Sequence, residues 1–266
     1  MRELFFKLFG PSWFNTGISV EEFSLPHIIY VLLIAGAVVG AHFLMKKWPM
    51  EKKVKAMEIL VWVLAITYLF DFFVHDFVYA DYDDAGNLIS AGGLNMDKLP
   101  FHICTVLCPL AAFAQFNKHG KKVIEPIVIL AAIAPMMYLV FPGCGDGEPW
   151  CYRAFQTMFY HGVLLAWGML NITLGVTKLD FKNSWKSACF LVGITLWAKF
   201  GVSILDYNWF FLKEDAFYIG LVEMGVIPQW LLMIINPVVF FLAVLAVYGV
   251  YHLVMSKKTK KADLVA

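Results

Sequence analysis

The chain has 266 residues, 61% hydrophobic and 15% charged, with a mean hydropathy of +0.70. Soluble domains carry about 25% charged residues, so this composition excludes an ordinary soluble fold and indicates an integral membrane protein. A net charge of +1, with the charges gathered between apolar runs, leaves no basic surface for nucleic acid.

Residues 1–15 open the chain with Phe5, Phe6, Leu8 and Phe9 beside Arg2, Glu3 and Lys7. That mixture predicts an amphipathic segment in the membrane interface rather than a cleaved leader. A hydrocarbon core of about 30 Å needs about 20 helical residues. Runs of that kind fall at 26–45, 56–78, 99–117, 122–141, 154–176, 184–205 and 228–254. An eighth apolar piece, Ala216 to Ile227, is too short to cross and contains Glu223, which predicts a surface or re-entrant segment. Residues 256–266 form a basic tail. Backbone in lipid must be paired internally, and no run alternates with period two over barrel-strand lengths. The expected fold is therefore all-α: one domain over 1–266, a polytopic bundle of seven transmembrane helices.

Every second connector is basic. Lys46, Lys47, Lys52, Lys53 and Lys55 follow the first span, Lys118, Lys121 and Lys122 the third, Lys178, Lys182 and Lys186 the fifth, and Lys257, Lys258, Lys260 and Lys261 the last. The intervening loops hold Asp81, Asp83, Asp84 and Asp97, then Asp146 and Glu148, then Glu214 and Asp215. The positive-inside rule places the N-terminus outside and the tail in the cytoplasm. On that reading Cys144 and Cys151 share an outer loop, FPGCGDGEPWCYR, where a disulfide is expected. Cys104, Cys108 and Cys189 fall within spans, where a cysteine commonly serves as a small hydrophobe.

Ionisable groups inside a membrane are costly and mark functional sites. Asp71 and His75 lie four residues apart on the second span, a spacing that shares one helical face. His102 stands at the head of the third, where Pro100 predicts a first helical turn. Thr157 and His161 share a face of the fifth, beside Gln156 and Tyr160. Lys199, Ser203 and Asp206 run toward the outer end of the sixth, with Asn208 just beyond. Four helices thus bring polar groups to a similar depth and predict a shared inward-facing cavity.

Its chemistry has several readings. His75, His102, His161 and Asp71 are acceptable zinc ligands, but no HxxxH or HExxH spacing occurs, so neither a metal nor a cofactor is expected. A cysteine nucleophile needs an imidazole base. On a regular helix His102 and Cys104 point in nearly opposite directions, so Cys104 requires His75 or His161, whereas Thr105 lies on the His102 side. A threonine hydroxyl in a helix often bonds an earlier carbonyl instead.

In order, LPFHIC opens the third span, FYHG lies within the fifth, and DYNWFFL and VIPQW precede the last. Over about Leu99 to Tyr251 this pattern resembles the YwaF-type bacterial membrane proteins, which are related to the animal transmembrane protein 164 acyltransferases. The resemblance implies a lipid acyltransferase or transacylase in a bacterial plasma membrane, acting on an acyl lipid, a phospholipid above all, through an acyl-enzyme intermediate. By motif, His102 and His161 match the family histidines, Cys104 the bacterial cysteine and Asn208 the asparagine of the third motif. The animal proteins place their nucleophilic cysteine immediately before the motif histidine, where this chain has Phe101. The expected site is His102, His161, Cys104 and Thr105 for catalysis, with Asp71, His75, Tyr160, Lys199 and Asn208 binding substrate. The rival reading is a transporter or receptor for a lipid or small molecule using the same cavity. The sequence identifies no protein partner.

Overall fold

The computed structural model describes Phe9 and residues 23–78, 81–82, 88–90, 96–140, 152–212, 225–226 and 228–263. Among these residues lie seven α-helices: α1 (Leu25–Met45), α2 (Met50–Val78), α3 (Ile103–Phe116), α4 (Ile124–Val140), α5 (Tyr152–Thr173), α6 (Ser184–Leu205) and α7 (Leu232–Asp263). A short antiparallel ribbon, β1 (Asp81–Tyr82) and β2 (Leu88–Ser90), lies between α2 and α3, with Asp81 opposite Ser90 and Tyr82 opposite Leu88. The molecule is an α-helical membrane protein. Among the described residues, five helical segments are long and apolar enough to cross a bilayer: Leu25–Met45, Met50–Val74, Gly120–Val140, Phe181–Leu205 and Leu232–Ser256.

The two remaining helices differ from the expectation for physical reasons. α3 has 14 residues, about 21 Å at about 1.5 Å per residue, because the segment expected to be its first turn is not helical. Pro100 lies in a turn, and His102 has extended backbone (φ −78°, ψ 150°) at the N-cap. α5 has 22 residues but interrupts its apolar sequence with Gln156, Thr157, His161 and Asn171. It is the helix that carries the polar interior. α7 also continues beyond the expected span, through most of the basic tail, to Asp263.

α4 and α5 form the centre. α5 packs on α1, α2, α3 and α4, while α4 also meets α3, α6 and α7. All residues from Pro126 to Pro135 of α4 are buried, as expected for a helix apolar all round. Contact between the central helices is close because Gly168 has no side chain: a Cβ there would lie 2.4 Å from the Ala132 backbone nitrogen. Small residues at such crossings let helices associate where lipid provides no hydrophobic drive. α1 and α7 flank this pair and leave Leu32, Leu33, Leu242, Val250 and Leu253 exposed, on the surface a bilayer covers.

Polar clasps fix the two ends of the bundle. Ser24 caps α1, and buried His27 places Nε2 2.7 Å from the Leu139 carbonyl oxygen, tying α1 to the end of α4. At the opposite end Trp167 Nε1 donates to Gln115 Oε1 (3.3 Å), Asn171 Nδ2 to the Trp167 carbonyl (2.8 Å) and Thr177 Oγ1 to Asn171 Oδ1 (3.3 Å). There the Glu125 carboxylate accepts from the Asp180 backbone N–H (2.7 Å) and Asn183 Nδ2 (2.8 Å). These bonds satisfy groups that lipid would leave unpaired.

Of the expected interfacial segment only Phe9 is described, its ring meeting Phe70 and Tyr152 edge-on at 5.9 and 5.1 Å. The expected Cys144–Cys151 bridge and most of the piece from Ala216 to Ile227 lie outside the described residues.

Candidate functional site

The LPFH segment is held as a non-helical turn that plugs the head of α3, with extended backbone at His102. Thr105 Oγ1, one turn into α3, lies within donating distance of the Leu99 carbonyl (2.9 Å) and the His102 carbonyl (3.0 Å). Trp197 Nε1 on α6 donates to the Pro100 carbonyl. The Phe101 ring sits against Trp197 (centroids 5.1 Å, stacked) and buried Trp209 (4.6 Å). Gly201 makes the room: a Cβ at that position would lie 2.5 Å from Phe101 Cδ1. Phe101 therefore serves as an aromatic anchor between α3 and α6.

The turn after α6 reaches back to His102. Asp206 and Phe210 both take left-handed backbone conformations, with φ of 50° and 54°. For a bulky residue such as Phe210 this conformation costs about 1–3 kcal/mol and persists only where the surroundings impose it. Here they do: Phe210 is 1% exposed, its ring packs on Phe240 at 5.5 Å, and its carbonyl accepts from Asn236 Nδ2 at 3.4 Å. Trp209 Nε1 adds a bond to the Met96 carbonyl at 3.1 Å. The result is a Phe210 backbone N–H aimed at His102 Nδ1, 3.2 Å away.

His161 enters from α5. Its Nδ1 lies 2.8 Å from the Thr157 carbonyl oxygen one turn earlier. Tyr138 of α4 stacks flat on the ring, with centroids 3.9 Å apart and planes 7° from parallel. Tyr160 meets it edge-on at 5.4 Å. Both His102 and Lys98 are within electrostatic reach of this ring.

Lys98 was not among the expected site residues. Its Nζ donates to Gln156 Oε1 at 2.9 Å and stands 3.5 Å from Asp71 Oδ2. The Lys98 carbonyl receives the Tyr68 hydroxyl. Lys98 thus links α2 and α5 from the stretch before α3. A sequence signal existed: among residues 79–98 it is the single basic residue.

The expected site residues divide accordingly. Asp71, His102, Tyr160 and His161 converge at one end of the bundle. Tyr160 is buried and donates to the Cys104 carbonyl at 2.8 Å. Cys104 is buried in the apolar core. Asn208 precedes the Trp209–Phe211 turn without capping it, two residues before the N–H that reaches His102. His75 occupies its place on α2 one turn after Asp71, and its side chain lies outside the described set. Lys199 departs from expectation: both it and Ser203 are exposed, and Ser203 Oγ returns to the Lys199 carbonyl of its own helix (2.9 Å). With apolar residues on every side of α6, helical spacing could not tell its inward face from its outward one. Among the described residues no three His, Cys, Asp or Glu side chains are grouped as a metal site.

An apolar groove of about 400 Å³ adjoins this end, between α3 and α6. Val106, Leu110, Cys189, Phe190, Gly193, Ile194 and Trp197 line it. Cys189, Gly193 and Trp197 are exposed, so it opens sideways on the flank of the bundle. Trp197 also contacts the LPFH plug, and Val106 lies one turn beyond His102. Trp197 therefore belongs both to the groove's lining and to the contacts of the LPFH segment.

A family model described as the TMEM164 family matches residues 22–250. No curated protein and no solved structure matches the chain.

Proposed function

The chain belongs to the TMEM164 family, and from that membership together with the site we propose that it is a lipid acyltransferase, moving a fatty acyl group between membrane lipids. The observation that carries the proposal is a polar cluster holding buried His161 and half-buried His102 beside an apolar groove that opens sideways, the two connected through Trp197 and the LPFH segment. An acyl lipid presents both chemistries at once, an ester for the histidines and a hydrocarbon tail for the groove. A transporter reading would require a path to both aqueous sides, whereas the described groove opens on the flank of the bundle. The lysine bias supports an outside N-terminus for a seven-span bundle, and on that orientation the histidines belong to the outer leaflet; a bacterial plasma membrane is what the motif resemblance supports.

The nucleophile is a hydroxyl of the acceptor lipid, activated by histidine. What supports this over an acyl-enzyme is the state of the two protein candidates. The Thr105 hydroxyl is engaged by the Leu99 and His102 carbonyls, and Cys104 is buried in the apolar core. Thiolate, not thiol, is the attacking species, and an apolar core gives a charged sulfur little solvation. The position before His102 is Phe101, which is engaged as an anchor.

Purified protein in lipid nanodiscs, given a phospholipid with a labelled acyl chain and a lysophospholipid acceptor, tests the reading. The label is expected to pass between lipids with no acyl-protein adduct, and Cys104→Ala is expected to retain transfer. A hydroxylamine-sensitive adduct on Cys104 would overturn direct attack. Absence of lipid-to-lipid transfer by the wild-type protein would overturn the enzyme reading itself.

A further inference from the structure

The two imidazoles hold their Nδ1 atoms in opposite senses. His161 Nδ1 faces the Thr157 carbonyl oxygen at 2.8 Å. A carbonyl only accepts, so this nitrogen carries the proton and the neutral ring keeps its lone pair on Nε2. His102 Nδ1 faces the Phe210 backbone nitrogen at 3.2 Å. An N–H only donates, so here Nδ1 supplies the lone pair and the neutral ring carries its proton on Nε2. Neither partner can exchange roles. Thr157 is fixed one turn back on the same helix, and the Phe210 N–H is held by a left-handed turn (φ 54°) whose ring and carbonyl are engaged by Phe240 and Asn236.

From this pairing we infer that the histidines divide the work: His161 is the general base, acting through Nε2, and His102 is the hydrogen-bond donor to the oxyanion, acting through Nε2–H. Phe210 is the positioning residue that fixes the His102 tautomer, and strain in its turn serves that end. The inference rests on the acyl-transfer reading. In the first step the acceptor hydroxyl gives its proton to His161 Nε2 while its oxygen bonds to the ester carbon. The carbonyl π pair moves to oxygen, and the resulting oxyanion accepts a hydrogen bond from His102 Nε2–H. In the second step the carbonyl reforms, the bond from carbon to the donor lipid's oxygen breaks, and that oxygen takes the proton back from His161. The ring ends the cycle in its starting tautomer, and His102 donates throughout without losing its proton.

Two measurements test this. Protein labelled with ¹⁵N-histidine gives two-bond proton–nitrogen patterns that distinguish Nδ1–H from Nε2–H rings. Signals are assigned by loss in His102→Gln and His161→Gln, with persistence of the other histidine signals showing that each variant is folded. The expected result is an Nδ1–H ring at His161 and an Nε2–H ring at His102. The same tautomer at both, or the reverse pair, overturns the inference. In transfer assays, His102→Ala is expected to lower kcat about 10²–10³-fold with KM little changed, as for loss of one oxyanion donor. His102→Gln, whose amide N–H extends toward the Nε2 position, is expected to stay within about tenfold of wild type, which a lost base would not allow. Equal loss in His102→Gln and His161→Gln overturns the donor role. If the wild-type protein transfers no acyl group, the acyl-transfer reading fails, and the tautomer spectra still decide how the two rings are held.

Discussion

Lys98 and Asp71 meet at 3.5 Å with side chains only 14% and 2% exposed, and so deep a charge depends on its partner. Removing the lysine leaves a carboxylate in a nearly dry interior, which costs about 3–5 kcal/mol, whereas removing both charges together costs much less. Lys98→Met is therefore expected to lower the thermal unfolding temperature sharply in detergent. Lys98→Met combined with Asp71→Leu should recover most of that loss, and an equal melting temperature for single and double variants would contradict the pairing. At this scale the sequence was most legible where a polar group interrupted an apolar run: Asp71, His102 and His161 stood out for that reason. Lys98 did not, because it sits at the end of an acidic connector, where a lysine looks like a solvated charge. The Cys104 thiol looked available because spacing shows which side of a helix a residue is on, not which neighbour faces it.

Two glycines show how elements differ in tolerance. At Gly168 an added methyl would lie 2.4 Å from the Ala132 nitrogen and 2.7 Å from the Ala131 carbonyl carbon, backbone atoms that cannot yield without parting α4 from α5. Gly168→Ala is expected to cost about 1–3 kcal/mol, the usual range for overpacking, measured as a fall in unfolding temperature. At Gly193 nothing lies within 4 Å of such a methyl, so Gly193→Ala should change stability by less than about 0.5 kcal/mol. Gly193→Leu goes further: its side chain enters the groove between α3 and α6, so folding should persist while transfer of long acyl chains falls more than transfer of short ones. Equal loss for both chain lengths would remove the groove from the account. The elements themselves were largely readable, α6 to the residue (184–205). The head of α3 was not, because Phe101 docking on Gly201 is a long-range contact that overrides the local preference set by Pro100. α5 was located from its apolar residues, yet its place at the centre of the bundle depends on packing that no single helix encodes.

Across the whole molecule, the ionisable groups of the site gather at one end and the Glu125 and Asn171 clasps at the other, as alternating helices require. The lysine-rich connectors lie at the clasp end. In intact cells a membrane-impermeant thiol reagent is therefore expected to miss Lys47→Cys and Lys118→Cys in a background lacking the native cysteines, and to modify both after permeabilisation. Modification in intact cells would reverse the orientation and move the site to the inner leaflet. The membrane class, the helix order and the polar cluster apart from Lys98 were present in composition and spacing. The division between inward and outward faces was not, since a bilayer-facing helix and a core-facing one share the same apolar alphabet. The most direct test of the central claim is lipid-to-lipid transfer of a labelled acyl chain by reconstituted wild-type protein beside His161→Gln. Transfer by the wild type is expected, with a fall of about 10²–10⁴-fold in the variant, the usual worth of a general base; equal rates in the two proteins, or no transfer by either, would contradict a histidine-assisted acyl transfer.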